Sequence, residues 1–186
     1  MKRLSYFLIV LLTLVSLNST AFAQNNNNNK KEIRRALAAE QEKADFELAK
    51  QALIDQKFVI EADQLQLPDG LVINVSSTIN FISMNKDKVS VQIAANQYRP
   101  MQNGIGGFTV DGSISNLETK TTKKGLFIMK FNVMGVAISA MVDIQMTGGG
   151  NKVTAKIYPN FNSNTLTMTG RVIPLEQSTV YKGRSI

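Results

Sequence analysis

The sequence predicts a mainly β protein. It reads as an antiparallel meander of about eight strands, closed into a barrel or rolled into a strongly curved half-barrel, behind one N-terminal α-helix. Three observations predict it. Apolar and polar residues alternate with period two from Phe58 to Val172. Turn-forming clusters such as Pro68-Asp69-Gly70 and Thr147-Gly148-Gly149-Gly150-Asn151 punctuate that alternation. Residues 30 to 55 alone follow a helical composition, rich in Ala, Glu, Lys, Gln and Leu and free of Gly and Pro. Strands with one apolar and one polar face belong to antiparallel sheets, because parallel strands buried on both faces read as continuous apolar runs. Eight strands close into a barrel whose interior side chains can fill, or which holds one small ligand.

The chain opens with Lys2 and Arg3, an apolar run from Leu4 to Leu17, and the small-x-small triplet Ala21-Phe22-Ala23. That layout is a secretory signal peptide over residues 1–23, its core too short for a membrane span of about 20 apolar residues. Cleavage is expected before Gln24. The chain has no cysteine, so an acyl anchor on an N-terminal Cys is not expected. The expected location is the periplasm or the medium. Residues 24–29, almost all Asn, offer nothing to bury and are expected to be a disordered tether.

The helix is expected over residues 30–56, with Ile33, Leu37, Ala44, Leu48 and Leu53 approximating one stripe. A helix of this composition is marginal alone, so the stripe is expected to pack on the sheet or over one barrel opening. The β domain is expected over 57–175. Phe58, Ile60 and Ala62 alternate with Val59, Glu61 and Asp63. Leu71, Ile73, Val75, Ile79 and Phe81 are read as one apolar face, and Val89, Val91 and Ile93 as the next, opposite Ser90 and Gln92. A long loop follows from Gln97 to Gly107. Gly112 is expected at a bulge or bend. Phe127, Met129, Phe131 and Val133 form a face away from Lys130 and Asn132, and Val136, Ile138, Ala140, Val142 and Ile144 form another. Val153, Ala155 and Ile157, then Leu166, Met168 and Val172, complete the meander. Residues 176–186 are read as a C-terminal tail.

Composition removes several chemistries. With no His and no Cys among 186 residues, a Ser-His-Asp triad, a thiol nucleophile and a His-ligated zinc site are excluded. Glu61 and Asp63 stand two apart on one strand, a spacing that fits a cation or an acid/base pair, and equally the wet side of an alternating strand. No catalytic residue, metal site or cofactor is expected, and the chain is read as a non-enzyme. Its formal charge of +7 is dispersed, without the basic stripe and stacking aromatics of a nucleic-acid binder. No transmembrane segment is expected after cleavage.

Two features are candidate ligand contacts. The Gln97–Gly107 loop is long for an economical meander and carries Tyr98 and Arg99, a flat contact beside a group able to pair with an anion. A plain connecting loop is the alternative. Six methionines, Met129 and Met168 among them, lie within or at the ends of strands. Met adapts to exchangeable apolar contents, and it also fills ordinary cores. Tyr98, Arg99, Met129, Phe131 and Met168 are therefore the expected ligand-binding residues.

One combination of residues is familiar. A short charged helix precedes Phe58-Val59-Ile60; Lys88-Val89-Ser90-Val91 leads to Tyr98-Arg99-Pro100 and Gly106-Gly107-Phe108; Asn162-Ser163-Asn164 and Met168-Thr169-Gly170-Arg171-Val172 close the domain. From about Ala49 to Pro174 this resembles the exported bacterial family called domain of unknown function 4251. The resemblance implies a lipocalin-like antiparallel barrel of Gram-negative envelopes and no established activity. It also implies an aromatic cluster before the long loop, where this chain has Ile93-Ala94-Ala95-Asn96-Gln97 and keeps Tyr98.

Two functions are compatible with these readings. In the first, an exported non-enzymatic protein holds a small apolar or amphipathic, lipid-like ligand in its barrel. In the second, an envelope module with a filled core docks a protein or cell-wall partner. An enclosed apolar cavity of about 300 Å³ or more marks the first, and a filled core with an exposed apolar patch the second.

Overall fold

A computed structural model describes residues 29–94, 108–136, 139–160 and 165–183. The signal-peptide segment 1–23, nearly all of the Asn tether, and the whole Gln97–Gly107 loop with Tyr98 and Arg99 lie outside the described residues. The chain divides into two compact units, Met1–Gln41 and Glu42–Ile186. In the first, residues 29–41 are helical and exposed, with Ile33 and Leu37 open to solvent. Among the described residues no helix is long and apolar enough to cross a membrane.

The second unit is the barrel. The helix α1, over residues 29–54, runs into it and leads through Gln56, at φ 56°, into β1, Lys57–Gln66. The strands that follow are β2 Val72–Asn74, β3 Phe81–Asn85, β4 Lys88–Ile93, β5 Phe108–Thr121, β6 Phe127–Gly135, β7 Ser139–Met146, β8 Lys152–Pro159 and β9 Leu166–Pro174. All neighbours are antiparallel, and β9 returns to pair with β1 from Phe58↔Pro174 to Gln66↔Thr167. The sheet is therefore closed.

Because β9 lies along one whole edge of β1, β2 and β3 must share the other. They are two pieces of one interrupted strand, so the nine strands make an eight-stranded barrel with one extra piece. This corrects the expectation of one alternating strand from Leu71 to Phe81. Glu61 pairs with Phe81 and Gln64 with Asn74, so a short step on β1 faces a longer excursion on its partner. The surplus residues reset the face: Ile73 points inward, whereas Phe81 points outward and Ile82 and Met84 point in.

Elsewhere the alternation holds except at two bulges, after Ala62 on β1 and after Ser115 on β5, past which Leu65 and Leu117 turn to the core. Phe58, Ile60 and Ala62, then Met129, Phe131 and Val133, then Ala140, Val142, Ile144 and Met146 all join one inward cluster. Val136 does not. The strand β6 ends at Gly135, and Val136 stands 99% exposed in the β6–β7 hairpin.

Closing a sheet needs sharp local bends, and glycines supply them where strands approach too closely for a side chain. A Cβ on Gly170 would stand 2.0 Å from Glu61 O, beside the bulge between Ala62 and Gln64. Gly112 and Gly135 face one another across β5 and β6, and a Cβ on Gly135 would meet Asp111 O at 2.2 Å. At Gly112 the structure has a close approach rather than the expected bulge, which lies farther along β5 between Ser115 and Glu118.

The helix joins the core through Leu53 of the expected stripe and two alanines outside it. Ala49, Ala52 and Leu53 belong to the inward cluster, whereas Leu48 of the expected stripe is 54% exposed. In a closed barrel, helical side chains reach the interior only through an open end, so the last turns of α1 cap the end at which β1 begins. The Lys86 main-chain N–H donates to Gln56 O at 2.7 Å and its Nζ to Asp55 O at 3.0 Å, tying the joint to the β3–β4 turn. Small residues allow that close approach; a stripe chosen by size points elsewhere.

Candidate functional site

Three of the expected ligand contacts are inside the barrel. Met129 and Met168 are fully buried and Phe131 is 1% exposed, all in the same cluster as Leu53 of α1. They belong with Ile60, Met84 and Ile144 to one cluster of buried apolar side chains. The expected partners at the mouth, Tyr98 and Arg99, lie outside the described residues. A cleft of about 110 Å³ lies outside the wall, between Asp45, Leu48 and Ala49 of α1 and Val172–Pro174 of β9.

The polar chemistry lies on the outer surface. Outward positions of an antiparallel barrel ordinarily face water. On β1, β3, β4 and β5 they do not: Val59 and Phe81 are 1% exposed, and Gln92 and Thr109 are fully buried. The segment after β9 covers them. Leu175–Gln177 forms a 3-10 turn against β1 and β3, and residues 178–183 continue as an extended strap.

Buried amides are costly unless bonded, and these are bonded throughout. Gln92 Nε2 donates to Ile79 O at 3.0 Å and to Tyr181 O at 2.7 Å. Its Oε1 accepts from Thr109 Oγ1 at 2.8 Å and from the Gly183 N–H at 2.7 Å. Asn80 Nδ2 donates to Ser76 O and Ala94 O, while the Ala94 N–H donates back to Asn80 Oδ1 at 2.7 Å. Among the described residues no buried side-chain nitrogen or oxygen lacks a partner.

Carboxylates flank the strap. Ser178 Oγ donates to Glu61 Oε1 at 2.7 Å, and Lys182 Nζ stands 2.6 Å from Asp111 Oδ1. Ser90 Oγ also bonds Asp111. Glu61 is thus engaged by the strap, and the bulge after Ala62 separates it from Asp63; among the described residues no acidic cluster is arranged to hold a metal. Farther round, Glu118, Lys130, Asp143 and Lys156 pair across four strands, with Lys130 Nζ 3.2 Å from Asp143 Oδ2. Asp143 is buried and Lys130 half-exposed, so the pair satisfies a carboxylate that the strands take out of water.

The strap has no signal in the sequence, because residues 175–183 show no alternation. Gln92 was legible as outward but not as buried, since nothing local marks what covers it.

Comparison with known proteins places this architecture. The model of the family described as domain of unknown function DUF4251 matches residues 40–172, from the second half of α1 to the end of β9. The chain belongs to that family. A DUF4251 family protein from Bacteroides eggerthii DSM 20697, whose crystal structure was solved at 1.95 Å, shares 41% identity with it. The similarity covers 80% of this chain and 99% of that one, with a TM-score of 0.67. No curated protein matches the chain. The DUF4251 match stops short of the strap, and no enzymatic family is indicated.

Proposed function

We propose that this DUF4251 member is an exported, non-enzymatic binding protein that meets its partner on the outside of its barrel. The single observation that carries this reading is the interior. Inward side chains of the wall and three residues of α1 form one contiguous apolar cluster, with Phe58, Phe131, Met84, Met129 and Met168 at its bulk. An eight-stranded barrel is just wide enough for such side chains to fill.

The far end of the barrel supports the same reading. Leu71 and Val72 after β1, and Met134, Val136 and Met141 at the β6–β7 hairpin, are exposed apolar residues at the end opposite α1. Exposed apolar groups gathered at one end suit a contact surface better than a free one. Export rests on the signal-peptide pattern of residues 1–23, and N-terminal sequencing should find Gln24 first.

Native mass spectrometry of the protein purified from its own host tests the reading. The expected mass is that of the mature chain alone or with a protein partner. A stoichiometric lipid or other small molecule would instead favour a ligand inside the barrel, entering past Tyr98 and Arg99.

A further inference from the structure

The strap is held in a way that suits a ligand better than a wall. Gln92 satisfies both its donors and both its acceptors, and half of those bonds go to main-chain groups of the strap: Tyr181 C=O and Gly183 N–H. A carbonyl and an N–H two residues apart are what a parallel β neighbour reads on an extended chain. The Gln92 amide therefore stands in for a strand residue facing Lys182. The Tyr181 N–H donates to Thr78 O at 2.8 Å, extending the same main-chain recognition.

The strap itself contributes little burial. No residue of Leu175–Gln177 is buried, and Tyr181 is 63% exposed. Side-chain selectivity comes from two carboxylates, Glu61 for the Ser178 hydroxyl and Asp111 for the Lys182 ammonium. A weakly anchored segment on a rigid, buried, fully bonded platform belongs to the parts of a protein that open at low cost. Once open, the platform presents the Gln92 amide with one donor and one acceptor that water or an added chain can take up.

From this we infer that the outer face of β1, β3, β4 and β5 is a peptide-recognition site, occupied in this chain by its own residues 178–183. The partner it fits is an extended protein segment carrying a hydroxyl residue and, four positions on, a lysine. Binding is by main-chain pairing, as when a strand is added to a sheet, with the two carboxylates setting register. The inference rests on the proposed outside binding surface and names the partner class it would take.

The test uses the full chain and a fluorescent peptide of residues 175–183, read by polarisation, with a melting curve for each variant. In the wild type, the tethered strap competes at an effective concentration of about 1 mM, so the peptide should bind weakly. Lys182→Glu releases the strap from Asp111, and the peptide should then bind at least about 10-fold more tightly. Asp111→Lys should reverse the preference, rejecting the wild-type peptide and accepting the peptide carrying Lys182→Glu. Equal affinity for wild type and Lys182→Glu, no binding to either, or no exchange of preference in folded Asp111→Lys would overturn the inference. If Asp111→Lys does not fold, the comparison of wild type with Lys182→Glu decides alone. A lipid found by native mass spectrometry would defeat the outside-binding reading without touching this result, and absent peptide binding would defeat only the peptide site.

Discussion

Asn80 and Ala94 are joined by two reciprocal hydrogen bonds, in which a side-chain amide takes the place of a strand neighbour. The Ala94 N–H donates to Asn80 Oδ1 at 2.7 Å, and Asn80 Nδ2 returns a bond to Ala94 O at 3.3 Å. The residue sits at the end of the excursion between β2 and β3, where the regular ladder with β1 is broken. Its buried amide bonds what the ladder leaves unpaired. Asn80→Ala should orphan the buried Ala94 N–H and cost about 1–3 kcal/mol in a denaturant melt. A loss below the error of the melt would show that water replaces the amide.

Face assignment in the wall is tested by a pair of truncations. Phe131→Ala removes a ring 1% exposed inside the barrel and should cost about 3–5 kcal/mol. Thr167 points outward beside Lys156 and Gln66, and Thr167→Ala should stay within about 0.5 kcal/mol. Similar losses at both positions would contradict the inward cluster.

The helix offers a second pair. Leu53 is fully buried and Leu48 is 54% exposed, one helical turn and a half apart. Leu53→Ala should lower stability by about 2–4 kcal/mol, and Leu48→Ala by about 0.5 kcal/mol at most. The opposite ranking would put Leu48, and not Leu53, at the docking face.

Gly170 makes the sharpest backbone prediction. A methyl group there would overlap Glu61 O, a main-chain atom held by two ladders, so Gly170→Ala should cost about 3 kcal/mol or more. In the β7–β8 turn a Cβ on Gly148 meets nothing nearer than 3.4 Å, and Gly148→Ala should be tolerated. Thermal melts of the two variants separate these outcomes.

The barrel was legible in the sequence because its signal is repeated along every strand. Period-two alternation marks inward residues on β1 and on β4 to β9 up to the bulges after Ala62 and Ser115, and a one-residue slip on any of them would expose its apolar face. Three features were not legible, each for a physical reason. The reset between Ile73 and Phe81 arises from an excursion whose length alternation cannot measure. The face of α1 is chosen by how closely Ala49 and Ala52 approach the barrel end, which hydrophobicity ranks below Leu48. The bonding of buried Gln92 depends on Tyr181 and Gly183, distant in the chain and without periodicity. Of the expected ligand contacts, Met129, Phe131 and Met168 share the core, and Tyr98 and Arg99 fall outside the described residues.

The central claim, a barrel filled by its own side chains, is tested most directly by titrating a lipid-mimetic naphthylamine dye into wild type and Phe131→Ala, followed by fluorescence. A filled interior predicts no saturable signal from either protein, because the void left by one truncated ring holds at most a benzene-sized molecule. Saturable, stoichiometric binding by the wild type, displaced by fatty acid, would contradict the filled core and put the ligand inside the barrel.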